Sequence, residues 1–251
     1  MRGRIALVAL CLAAVVPFAA ARPEPALTPR QVIERAIVAH GGYEKLAKSR
    51  AERIRLRGTM FVGKAVVPFT NDLTLQLPGQ YKSVVVVQQG ERRHGIVHLL
   101  DGDNAMVVID GQQQTVNSLH LSQLRQTLQL EQAMRLVPLL ADPGFSLHPG
   151  QDYAYNGGVI TSVRVQGKGQ RELVLSFDRA SGLLVKSEHR LDGPGGKDVV
   201  QEAFYSDYRE VGGHVRPGRV IVQRDGKKVM EVELVAAQRV VRIDVLEFRR
   251  P

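Results

Sequence analysis

From Arg53 onward the chain alternates between apolar and polar residues. Ile54 and Leu56 fall on one side of an extended backbone and Arg53, Arg55 and Arg57 on the other, with Gly58 and Met60 in line to continue. A period of two is the pattern of a strand with one buried and one wet face. The texture returns at residues 66–77, 81–88, 95–100 and 104–110, then at 159–166, 171–177, 183–191, 199–208, 215–223 and 229–235, with 240–248 as a candidate last strand. Pro78-Gly79, Gly90, Asp101-Gly102, Gly167-Lys168-Gly169, residues 178–182, residues 192–196, residues 211–214 and Asp225-Gly226 supply turn chemistry between them. Connections this short impose antiparallel neighbours, because a parallel crossover needs a dozen residues or more. About eleven strands in one sheet must curl. The expected fold is therefore mainly β with helices: one strongly curved antiparallel sheet, a barrel if it closes without helices and an open half-barrel if amphipathic helices cover its concave side.

Two segments carry the helical period instead. Thr28 and Pro29 make an N-cap and first-turn pair, and Val32, Ile33, Ala36, Ile37 and Ala39 follow at helical spacing until Gly41-Gly42. Residues 43–48 add a short helical segment. A second region over residues 122–140 places Leu124, Leu128, Leu130, Met134, Val137 and Leu140 on one stripe, with Pro138 able to kink it and Asp142-Pro143-Gly144 ending it. Each helix needs an apolar surface to lie against.

The N-terminus predicts export. Arg2 and Arg4 precede an apolar run over residues 5–16, and Ala19, Ala20 and Ala21 offer small side chains to a signal peptidase, so residues 1–21 read as a signal peptide cleaved after Ala21. An uncleaved anchor is the competing reading, but a membrane-crossing helix needs about 20 apolar residues, and residues 5–21 number 17 including Pro17. Lipidation of Cys11 is a third, set against Leu10 where a small residue is wanted. Residues 22–28 form a Pro-rich lead-in, and residues 29–251 the remaining domain. Cleavage removes the one cysteine; a domain this long can bury a sufficient core without disulfides, which points to a bacterial periplasm.

The formal charge is +9, with two arginines in the leader. The basic residues are scattered along strands, and no nucleic-acid module or tryptophan platform accompanies them, so they read as a solvated outer face and nucleic acid is excluded as a partner. Metal chemistry finds no support: His94 and His98 lie on a strand, where such positions stand about 13 Å apart, and Asp101, Asp103 and Asn104 open no calcium loop. Ser187-Glu188-His189 cannot assemble by itself, since neighbouring strand residues face opposite ways, and no nucleophile elbow occurs. No enzyme, cofactor or metal is expected. Residues 192–198 are expected to be mobile.

Several stretches together resemble bacterial proteins of the outer-membrane lipoprotein-sorting class. These are Ala39-His40-Gly41-Gly42 leading to Arg55-Leu56-Arg57-Gly58-Thr59, the run from Phe177 through Asp178-Arg179-Ala180-Ser181-Gly182 to Leu184, and Tyr205-Ser206-Asp207-Tyr208-Arg209 with Gly212-Gly213 and Arg216-Pro217. The resemblance implies a lipoprotein-carrier-like incomplete barrel with a helical lid, whose concave side holds acyl chains. It carries over no cargo-binding arginine. Because each methylene withdrawn from water contributes about 0.8 kcal/mol, shape and apolar area alone can hold a lipid. Leu56, Phe69, Leu73, Leu75, Val85 and Val87 on the early strands and Leu124, Leu128 and Met134 on the covering helix are the expected lining, each equally explicable as core packing. The leading reading is a non-catalytic periplasmic binder or carrier of lipid or lipidated protein, with a cavity of several hundred Å³ and transient contact with a membrane surface. The alternative is an envelope interaction or stress-sensor module with the same fold, a protein partner and no cargo.

Overall fold

The computed structural model describes residues 26–155, 157–167, 171–193 and 197–251. The signal peptide, its cleavage site, Cys11 and most of the lead-in lie outside the described residues, as do the tip around Lys168-Gly169 and the centre of the 192–198 turn. Among the described residues there are four α-helices: α1 (Pro29–Ala39), α2 (Tyr43–Ala47), α3 (Ser118–Ala133) and α4 (Pro138–Ala141). The strands are β1 (Ala51–Val62), β2 (Ala65–Gln76), β3 (Gln80–Gln89), β4 (Arg92–Asp101), β5 (Asn104–Ile109), β6 (Gln112–Gln114), β7 (Phe145–Pro149), β8 (Tyr153–Tyr155), β9 (Gly158–Gly167), β10 (Leu173–Asp178), β11 (Leu184–Asp192), β12 (Asp198–Ser206), β13 (Arg209–Val211), β14 (His214–Arg216), β15 (Arg219–Arg224) and β16 (Lys227–Val240).

Among the described residues, fourteen strands form one sheet in the order β6-β5-β4-β3-β2-β1-β16-β15-β12-β11-β10-β9-β7, with β8 also on β9. All the pairings are antiparallel. Since β6 and β7 do not pair, the sheet stays an unclosed barrel, the form that the family resemblance implied, and its antiparallel order is the one that the short turns imposed.

Helices cover the inner face in two patches. On one, Val32, Ile33, Ala36 and Ile37 of α1 pack with Leu139 of α4 against Val163, Val165, Leu173, Leu175, Phe177 and Leu184. On the other, Leu124 and Leu128 of α3 lie over Ile54, Leu73, Leu75, Tyr81, Leu100, Val107 and Leu234. The α1 start is fixed as its sequence requires: the Thr28 hydroxyl accepts from Gln31 N–H while Gln31 Oε1 accepts from Thr28 N–H at 2.9 Å.

Several boundaries differ from the sequence reading. The helical region expected over 122–140 begins at Ser118, because Asn117 caps it by accepting from His120 N–H at 2.9 Å. It breaks after Ala133, where Leu136 takes a positive φ of 60° before Pro138 starts α4. The strands expected at 199–208 and 215–223 are interrupted by the separate hairpin β13–β14, turned at Gly212 and Gly213, both with positive φ. Residues 240–248 are not a strand: β16 ends at Val240 and residues 245–248 make a 3-10 turn capped by Asp244, whose Phe248 packs with Ile243 against Ala51. The short β6, β7 and β8, too brief to show a period, together with β13 and β14 bring the strands among the described residues to sixteen against about eleven expected.

Candidate functional site

The two helix-covered patches meet at a seam, and the seam is charged. Glu52, the second residue of β1, is in phase with Ile54 and Leu56, so its carboxylate points inward, where its side chain is 1% exposed. Arg135, in the break between α3 and α4, donates from Nη2 to Glu52 Oε2 at 2.8 Å and from Nη1 to Glu131 Oε2 at 2.7 Å. Arg216 of β14 and the Ser49 hydroxyl both donate to Glu52 Oε1. Burial alone raises a carboxyl's pKa, but the two guanidinium charges and the Ser49 hydroxyl outweigh it and hold Glu52 below the ordinary range. His214, buried on the same strand as Arg216, is pushed down to about 4, by burial first and then by the Arg216 charge, with Glu52 opposing. His40 is also lowered by burial, against the hydrogen bond its Nδ1 donates to Ala36 O at 2.7 Å. Its backbone carbonyl accepts from Val215 N–H at 3.1 Å, which straps the β13–β14 hairpin to the end of α1.

An apolar hollow of about 380 Å³ opens beside this cluster. Leu46 and Ala47 of α2, Leu77 and Pro78 of the β2–β3 turn, and Val137, Pro138 and Ala141 around α4 line most of it. Ser49, Arg50, Gln132, Arg135 and Asp142 supply its polar wall. A second, more open hollow of about 580 Å³ shares Arg50, Leu77 and Pro78 with the first and continues past Gln80, Asp101, Val241 and Arg242. The first has the size and the mostly apolar lining of a small-ligand site.

Of the nine residues expected to line a cavity, the structure brings five together: Leu73, Leu75, Leu124 and Leu128 form one cluster, with Leu56 packed against it. Phe69 is buried with its ring lying across Gly58. Val85 and Val87 stand on the same face, opposite Asn71 and Phe69, but half-buried on a stretch of sheet that α3 does not reach. Met134 sits in the α3–α4 break and packs against the α1 patch instead. None of the nine lines either hollow. Sequence reasoning missed the hollows because their walls come from loops and helix ends that show no period.

The other candidate groups are engaged separately. His94 of β4 bonds Asp110 at 2.8 Å, Ser187 meets the Tyr205 hydroxyl at 2.7 Å, and Glu188 accepts from Lys186 at 2.9 Å. Among the described residues, no three His, Cys, Asp or Glu side chains are grouped to hold a metal ion, and no helix is long and apolar enough to cross a membrane.

No protein-family model matches the sequence, and no curated protein does. Solved structures match the fold over nearly their whole length. A LolA superfamily protein from Nitrosomonas europaea is similar with a TM-score of 0.58 and 13% identity, over 90% of this chain and 99% of that one. A DUF1329 family protein from Desulfovibrio piger gives 0.54 and 11%, over 88% and 97%. A domain described as an outer membrane lipoprotein-sorting protein, from Vibrio parahaemolyticus, gives 0.51 and 9%, over 82% and 93%. The chain therefore has the fold of the LolA superfamily and lipoprotein-sorting proteins, a large unclosed antiparallel sheet covered by helices.

Proposed function

We propose that this is an exported, periplasmic binding or carrier protein for lipid or for the acyl chains of lipoproteins, acting without catalysis. The observation that carries the reading is the apolar hollow of about 380 Å³ between α2, α4 and the β2–β3 turn, in a fold shared with lipoprotein-sorting proteins. Ten methylenes withdrawn into such a space contribute about 8 kcal/mol before the cost of ordering the chain. Val85 and Val87, half-buried on the inner face, offer further apolar surface to a chain, while Leu56, Leu73, Leu75, Leu124 and Leu128 become reachable only if α3 lifts. The N-terminal signature supports export, and loading or unloading brings the protein briefly to a membrane surface. Residues 29–251 act as one domain, because β1 and β16 pair at the middle of the sheet.

Native mass spectrometry and solvent extraction of protein purified from a periplasmic fraction test this directly. Acyl chains are expected in the extract, and Ala47→Phe, which fills the hollow, is expected to cut uptake of a fluorescent fatty acid by about tenfold, a change of about 1.4 kcal/mol. A protein that carries no lipid and takes up no probe sinks the proposal. If it also crosslinks to an envelope protein, the interaction-module reading replaces it.

A further inference from the structure

The two hollows share Arg50; the first adds Arg135, which is already paired, and the acid Asp142, whereas the second adds Arg242. We infer that the site takes a single-chain amphiphile with an anionic head, a carboxylate or a phosphate, its tail in the apolar hollow and its head against Arg50 and Arg242 in the neighbouring one. The inference rests on the carrier reading and names the class of ligand.

Charge placement favours this orientation. Arg50 and Arg242 are exposed on the wall of the second hollow, and neither makes an ion pair with any described residue. The acid on that wall, Asp101, is already matched: Arg249 Nε donates to it at 2.8 Å and Gln80 Nε2 at 2.9 Å. These hydrogen bonds hold its carboxyl below the ordinary range. The apolar hollow suits a head less well. Arg135 there is committed to Glu52 and Glu131, and Asp142, which accepts from Gly144 N–H at 2.8 Å, repels an anion. Two unmatched guanidinium groups beside an apolar slot fit a carboxylate or phosphate with one hydrocarbon chain, since the planar fork can bond both oxygens of such a head.

The test uses delipidated full-length mature protein and displacement of a fluorescent fatty acid by palmitate, monopalmitoylglycerol, its phosphate monoester, and inorganic phosphate. Palmitate and the phosphate monoester are expected to bind about tenfold or more tighter than the uncharged monopalmitoylglycerol, with a preference that shrinks as salt rises. Arg50→Gln combined with Arg242→Gln, both at exposed positions, is expected to erase that preference, bringing palmitate and the phosphate monoester to the level of monopalmitoylglycerol measured on the same variant. Equal binding of charged and uncharged lipids overturns the inference, as does a preference that survives the double substitution or displacement by inorganic phosphate at lipid concentrations. If no lipid binds at all, the carrier reading falls and this one with it, an outcome distinct from equal binding.

Discussion

Glu52 shows what a single misplaced charge does to a β core. A buried carboxylate is tolerated here because two arginines and a serine hydroxyl meet it, and removing the charge leaves Arg135 and Arg216 side by side without the carboxylate they share. Glu52→Gln should lower stability by about 3 kcal/mol, read as a shifted urea midpoint at pH 7; a loss under about 1 kcal/mol would show that the pair is solvated. His214 acts in the same place through pH. Its folded pKa of about 4 lies below the ordinary 6.5, so the unfolded chain binds the proton more readily between those values. The contribution is complete above about pH 6.5 and is lost as pH falls toward 4, by up to about 3 kcal/mol. His214→Asn should flatten the fall in denaturation midpoint between pH 7 and 5; an unchanged slope would assign it to other groups. Part of this cluster was legible in the sequence. Continuing the alternation of β1 back one step puts Glu52 in phase with Ile54, and Arg135 interrupts the apolar run from Met134 to Val137, so each is a charge where a hydrophobe belongs. That Arg135 and Arg216 both reach Glu52 depends on the α3–α4 break and the β13–β14 hairpin, which no local pattern places beside β1.

Among the elements, β1 shows most clearly how the sheet is held. At Gly58 a methyl group would sit 2.2 Å from Glu231 O on β16 and 2.8 Å from the Phe69 ring on β2. Gly58→Ala should therefore cost about 1–3 kcal/mol. Adding Phe69→Ala should not restore the loss, because the closer obstacle is backbone; thermal melts of the single and double variants decide it. The long strands and the α1 cap were readable because alternation and capping chemistry are local. The end of the second helical region was not, since the break at Leu136 leaves its apolar stripe intact on both sides. Residues 240–248 misled in the same way: Ile243 and Phe248 are apolar because they plug the end of the sheet beside Ala51, a tertiary demand that mimics a strand.

At the scale of the whole molecule, one sheet with two helical covers leaves a charged seam, and the hollow lies beside that seam. Curvature and helical cover followed from turn spacing and strand number, whereas the hollow depends on how α2, α4 and the Pro78 turn happen to meet, and no residue pattern announces it. If the seam helps to shape the hollow, Glu52→Gln should weaken fatty-acid binding as well as stability, whereas Gly58→Ala, on another part of the sheet, should lower stability with binding intact below its melting range. Parallel melts and probe titrations separate the two. The strand order has one more consequence. The sheet's middle joins β1 to β16, the first strand made to the last, so neither half has its central neighbour until residue 240 is present. Contacts this distant in sequence form slowly, so the join at the centre of the sheet comes last, and a chain cut short before β16 leaves its first half with an open edge along β1 for another strand to occupy.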